Sequence, residues 1–132
     1  MEQLTIGKLA RKAHVNVETI RYYERRGLIA KPERPNSGYR HYPQEMIKRI
    51  EFIKHAKELG FSLREIGELL SLRLDPMTPC SEIKGRTEAK IETIEEKIRS
   101  LQNMKEALVE LNRACSGRGL ITECPILEAL DK

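Results

Sequence analysis

Three cysteines are the residues whose type and spacing point most directly to chemistry: Cys80, Cys115 and Cys124. From Ser81 to Ala114 the chain has no proline and a single glycine, Gly85. Apolar residues recur there at Ile91, Ile94, Ile98, Leu101, Met104, Leu108 and Leu111, a three-and-four spacing that makes one narrow stripe on a long helix. At about 1.5 Å per residue, a continuous helix holds Cys80 and Cys115 on the order of 50 Å apart. They cannot share a ligand within one chain. The stripe needs a partner, most economically the same helix of a second copy. If the two helices run antiparallel, Cys80 of one protomer meets Cys115 of the other, and Gly117 and Gly119 let the chain double back to bring in Cys124. This predicts three thiols, one from one protomer and two from its partner, repeated twice by symmetry.

The elements that must position those thiols follow from the rest of the chain. Its 132 residues are 33% charged, contain no tryptophan, and suit one small domain plus an extended element. The basic excess lies in the N-terminal half: 14 Lys/Arg against 9 Asp/Glu over residues 1–70, but 10 against 11 over residues 71–132. That half is the one expected to meet a polyanion. No apolar run approaches a membrane span and no signal peptide opens the chain, so a cytoplasmic location without membrane contact is expected. Three cysteines, an odd number, do not make a disulfide framework there. Taken singly each would read as a small buried hydrophobe; their convergence across a dimer favours a metal.

Thr5 caps a first short helix with Ile6, Leu9 and Ala10 inward. After a break at Ala13-His14-Val15, Asn16 caps a second helix from Val17 to about Arg26, stopped by Gly27. Two short helices at this spacing read as a helix-turn-helix. Its second helix offers Thr19, Arg21, Tyr22, Tyr23, Arg25 and Arg26; Arg21 suits guanine, and Thr19 a base or phosphate. Of the adjacent tyrosines, Tyr23 is expected to reach the DNA backbone and Tyr22 to pack. Pro32, Pro35 and Asn36-Ser37-Gly38 predict a small hairpin, or wing, with Tyr39 and Arg40 at its base for phosphates. The DNA-contact set expected is therefore Asn16, Val17, Thr19, Arg21, Tyr22, Tyr23, Gly38, Tyr39 and Arg40. Pro43 suits the first position of a third helix running to about Leu59, and Ser62-Leu63-Arg64-Glu65 is a capping box for a fourth. Arg49, Lys54 and Lys57 are candidates for phosphate contacts or for a solvated face. Leu74 to Pro79 forms a hinge ahead of Cys80.

Read together, Leu4-Thr5-Ile6-Gly7-Lys8-Leu9-Ala10, the run Val17 to Ile29 with Arg21-Tyr22-Tyr23-Glu24-Arg25-Arg26-Gly27-Leu28, Gly38-Tyr39-Arg40-His41-Tyr42, and Glu58-Leu59-Gly60-Phe61-Ser62-Leu63-Arg64-Glu65-Ile66 make the chain resemble the MerR family of winged-helix transcription regulators. Cys80, Cys115 and Cys124, with Glu123-Cys124-Pro125-Ile126-Leu127, resemble its mercuric-ion-responsive members. The resemblance implies one Hg(II) in a trigonal site of three thiolates, Cys80 from one protomer and Cys115 and Cys124 from the other. It also implies repression without metal, and activation with RNA polymerase at a distorted, underwound promoter. The fold expected is mainly α: a winged helix-turn-helix head over residues 1–72, a hinge at 73–80, a long antiparallel coiled-coil dimerisation helix at 81–114, and a metal-binding loop and tail at 115–132.

Ligand chemistry agrees with that expectation. An all-thiolate, three-coordinate site is soft and suits Hg(II) or Pb(II) better than zinc, which takes four ligands in structural sites. A resemblance to the family's zinc-responsive branch would imply a vicinal cysteine and a nearby histidine; Ala114 precedes Cys115 and no histidine lies between Cys115 and Cys124, which counts against zinc. An oxygen from Asp75, Ser81 or Glu123 would suit cadmium or zinc more. A thiol redox regulator is the rival within the family, and a thiol enzyme or metal-sequestering protein the rival outside it. An enzyme is disfavoured, since the chain has no Cys-x-x-Cys motif and no Cys/His pair in its second half.

Overall fold

A computed structural model describes residues 3–32 and 41–132. The chain divides into two compact units, Met1–Ile83 and Lys84–Lys132.

The first unit is built from β1 (Gln3–Leu4), α1 (Ile6–Lys12), α2 (Val17–Arg25), β2 (Tyr42–Pro43), α3 (Glu45–Glu58) and α4 (Leu63–Arg73). Leu9, Ile20, Ile29, Tyr42, Ile50, Ile53 and Ile66 are fully buried in one apolar cluster to which every one of these helices contributes. Local chemistry sets the boundaries. The Thr5 hydroxyl accepts from the Lys8 N–H at the start of α1, and the Asn16 side chain accepts from the Thr19 N–H at the start of α2. Ser62 and Glu65 form the expected reciprocal capping box on α4.

The first three helices end alike. Past α2, the Gly27 N–H donates to the Glu24 carbonyl and the Leu28 N–H to that of Tyr23; past α3, Gly60 and Phe61 do the same with Lys57 and Ala56. Both glycines have positive φ, as this Schellman closure requires. At the end of α1 the position falls to His14, with φ 58°, where His14 and Val15 donate to the Arg11 and Ala10 carbonyls.

One expectation fails here. Pro43 does not open α3; it lies in β2, which pairs antiparallel with β1 in the register Gln3↔Pro43 and Leu4↔Tyr42. Tyr42 is buried, and the ladder that buries it uses the two residues on which a helix start would have depended. Helix α3 begins at Glu45 instead. The turn of the expected hairpin, with Gly38, Tyr39 and Arg40, lies outside the described residues.

The segment from Leu74 to Pro79 is a hydrogen-bonded turn. The Thr78 hydroxyl donates to the Leu72 carbonyl at 2.9 Å, and the Asp75 carboxylate accepts from the Met77 N–H at 2.9 Å. Helix α5 then runs as one piece from Cys80 to Ala114, 35 residues. The second unit comprises most of α5, a single 3-10 turn (Ile121–Glu123) and α6 (Pro125–Leu130). None of its residues is fully buried, and Ile91, Ile94, Ile98, Leu101, Met104 and Leu108 are all exposed. The fold is thus mainly helical, a helix-turn-helix head followed by a long helix. No helix among the described residues is long and apolar enough to cross a membrane.

Candidate DNA interface and thiol site

Helix α2 presents one face to the core and one outward. Val17, Ile20 and Tyr23 recur at intervals of three and pack inward, with Ile20 and Tyr23 buried. Glu18, Arg21, Tyr22 and Arg25, at positions i, i+3, i+4 and i+7, make the exposed stripe. The burial of the two tyrosines is the reverse of that expected: Tyr23 is 4% exposed, whereas Tyr22, expected to pack, is 38% exposed. The signal was in the sequence, because Tyr23 is three residues past Ile20 whereas Tyr22 is four past Glu18. Burial also raises the Tyr23 pKa above that of an ordinary phenol.

The outward stripe is pre-arranged. Glu18 holds Arg21 at 2.9 Å, and the Arg25 guanidinium lies 5.8 Å from the centre of the Tyr22 ring. Thr19 is half-buried, and its hydroxyl donates to Asn16 at 2.8 Å, so Asn16 and Thr19 hold each other across the first turn. Two of the candidate cations on α3 bond the backbone of the head: Arg49 Nε donates to the Leu28 carbonyl at 2.8 Å, and Lys54 Nζ to the His14 carbonyl at 3.3 Å. Lys57 is exposed.

In the second unit the chain turns back after α5 through Gly117 and Gly119, with φ of 77° and 93°. This return carries Cys124 back toward Cys115, both half-buried, and the Cys115 side chain is among the groups that act on the Cys124 thiol. The Leu127 N–H, at the start of α6, holds the Cys124 thiol below its ordinary pKa. Burial opposes this, the Ile126 N–H and the Cys115 side chain reinforce it, and the Glu128 charge opposes it. A lowered pKa favours the deprotonated form that a metal ligand requires. Cys80 is exposed at the first position of α5. No cluster of three or more His, Cys, Asp or Glu side chains able to hold a metal occurs among the described residues of one chain. Beside the thiol pair, Leu101, Met104, Leu108, Leu111 and Ile126 line an open, mostly apolar groove of about 730 Å³.

Comparison with known proteins places these features in a family. Residues 4–72 match the family model for MerR HTH family regulatory proteins, and residues 47–111 match that described as MerR, DNA binding. The chain is similar to the mercuric resistance operon regulatory protein of Bacillus cereus, 46% identical over 96% of each chain. Among solved structures it is similar to MerR from Bacillus megaterium MB1 in complex with mercury(II), 43% identical with a TM-score of 0.74, over 98% of this chain and 100% of that one. It is similar also to the regulator PbrR691 from Ralstonia metallidurans CH34 in complex with lead(II), 33% identical with a TM-score of 0.88, over 96% and 98% of the two chains.

Proposed function

This chain belongs to the MerR family of helix-turn-helix transcription regulators, which are not enzymes, and from that premise we propose that it is a cytoplasmic mercury(II) sensor acting on promoter DNA as an antiparallel homodimer. The observation that carries the reading is the thiol pair. Cys124 returns toward Cys115 within one protomer, while Cys80 opens a helix whose 35 residues rise roughly 52 Å. A partner helix lying antiparallel covers the exposed stripe from Ile91 to Leu108 and fills the groove lined by Met104 and Leu108. The same placement brings the partner's own start of α5, with its cysteine, beside Cys115 and Cys124. Three thiolates form a soft, three-coordinate set, and Hg(II) is the ion that chemistry suits best.

On DNA, the Glu18–Arg21–Tyr22–Arg25 face of α2 enters the major groove, Arg21 reading a base edge, and Tyr39 and Arg40 grip phosphates beside it. Asn16, Val17 and Thr19 set the start of that helix. Metal capture fixes the start of α5. Because the Thr78 hydroxyl ties the Leu74–Pro79 turn to the end of α4, that constraint passes to the head as a rigid displacement. Deforming promoter DNA costs on the order of several kcal/mol, and thiolate–metal bonding is strong enough to favour the deforming state by that much. The dimer then represses without metal and lets RNA polymerase initiate with it.

Competitive titration of the purified dimer with Hg(II), Pb(II), Cd(II) and Zn(II) tests the assignment, with Cys80→Ser, Cys115→Ser and Cys124→Ser in parallel. Mercury is expected to win, and each serine to abolish three-coordinate binding while operator affinity without metal stays near wild type. A second reading, lead(II) as the effector, is favoured by the close backbone match to the lead-bound PbrR691; Pb(II) outcompeting Hg(II) would select it.

A further inference from the structure

Arginine 49 looks like a phosphate ligand from its charge and from its place in a basic head, yet its geometry assigns it elsewhere. We propose that Arg49 is a positioning residue for the DNA-reading helix and makes no phosphate contact. Helix α2 ends in a Schellman closure in which the Leu28 N–H returns to the Tyr23 carbonyl at 2.9 Å. The Leu28 carbonyl follows directly on that closure. Arg49 Nε, from the second turn of α3, donates to it at 2.8 Å. Leu28 itself is buried and Arg49 half-buried, so the bond is partly shielded from water. At the other end of α2, Lys54, from the same helix, reaches the His14 carbonyl in the turn just before the Asn16 cap. The two α3 cations thus hold α2 by the backbone on either side of it. The apolar contacts of Ile20 and Tyr23 are non-directional and fix depth; these two bonds fix rotation and slide. The outward face with Arg21, Tyr22 and Arg25 then meets DNA at one angle.

This rests on the reading of α2 as the DNA-contacting helix. The test uses the full-length protein, a duplex that the wild-type chain enriches from a random pool, and a scrambled duplex of the same composition. Arg49→Gln is the decisive variant, because glutamine Nε2 occupies the same position along the side chain as arginine Nε and carries no charge. Arg49→Met keeps the length and removes the donor. Positioning predicts that Arg49→Met loses about tenfold in affinity for the enriched duplex but nothing for the scrambled one. It also predicts that Arg49→Gln restores most of the loss, and that the slope of log affinity against log salt matches wild type in both. A phosphate contact predicts that Gln and Met behave alike, that both duplexes weaken together, and that the slope falls by about 0.9; that result overturns the proposal. So does unchanged discrimination in a folded Arg49→Met. Should Arg49→Met not fold, Arg49→Gln alone decides, since a loss of discrimination there contradicts positioning. If the wild-type chain enriches no sequence at all, the reading of α2 falls first, and this inference with it.

Discussion

The Tyr42 hydroxyl donates to the Glu24 carboxylate at 2.5 Å, joining the short β-ladder to the last turn of α2 across 18 positions of sequence. Tyr42 is buried and Glu24 half-buried, so the bond is charge-assisted and only partly screened by water. Bonds of that class contribute about 1.5–3 kcal/mol, toward the low end here because Glu24 keeps some contact with solvent. Tyr42→Phe, which preserves the ring and its packing, should destabilise the protein by about 1–2 kcal/mol in urea denaturation. Glu24→Gln retains an acceptor and should cost less. In a double-mutant cycle the pair should show a coupling of roughly 1 kcal/mol; a value near zero would mean the bond contributes nothing.

His14 holds a left-handed conformation that the other two helix ends give to glycine. A side chain there costs about 1–2 kcal/mol, partly recovered through the lower entropy of the unfolded chain. His14→Gly should therefore raise stability by about 0.5–1 kcal/mol, and His14→Val should lower it, since β-branching makes that conformation worse. Thermal unfolding of the two variants checks both signs. An equal loss in both would show that the imidazole itself contributes.

Burial of Tyr23 gives a pH dependence with a definite sign. Its folded-state pKa is raised above the ordinary 10.0 by desolvation, while the unfolded chain ionises at about 10. Above that pH the unfolded state binds fewer protons than the folded one. The contribution is therefore fully present below about pH 10 and is lost as pH rises through the folded pKa. Urea denaturation between pH 9 and pH 11.5 should show stability falling more steeply in wild type than in Tyr23→Phe. Parallel curves would contradict the burial of this phenol.

The sequence made most of the fold legible where short-range chemistry decides it. Thr5, Asn16 and Ser62 cap the helices they were expected to cap, and the three-and-four apolar spacing, with no proline between Ser81 and Ala114, predicts the one unbroken helix found there. It failed where a partner distant in sequence decides. Pro43 reads as a helix start until Gln3 claims it for a ladder. Arg49 and Lys54 read as surface cations until the folded chain carries the Leu28 and His14 carbonyls to them. The registers of Tyr22 and Tyr23 relative to Glu18 and Ile20 separate the outward tyrosine from the buried one. The return of the chain after Ala114 was legible because glycines at 117 and 119, both with positive φ, make it local.

The central claim is that the metal site is completed across two protomers, and subunit mixing tests it most directly. Cys80→Ser and the double variant Cys115→Ser/Cys124→Ser each lack a complete thiol set as homodimers. In a mixed dimer the cross-protomer arrangement regenerates one full set, from the double variant's Cys80 and the other chain's Cys115 and Cys124. Refolding the two variants together and reading the three-coordinate Hg(II) absorption should recover one site per mixed dimer, where either variant alone gives none. No recovery on mixing, or a complete three-coordinate signal from Cys80→Ser alone, would contradict the account.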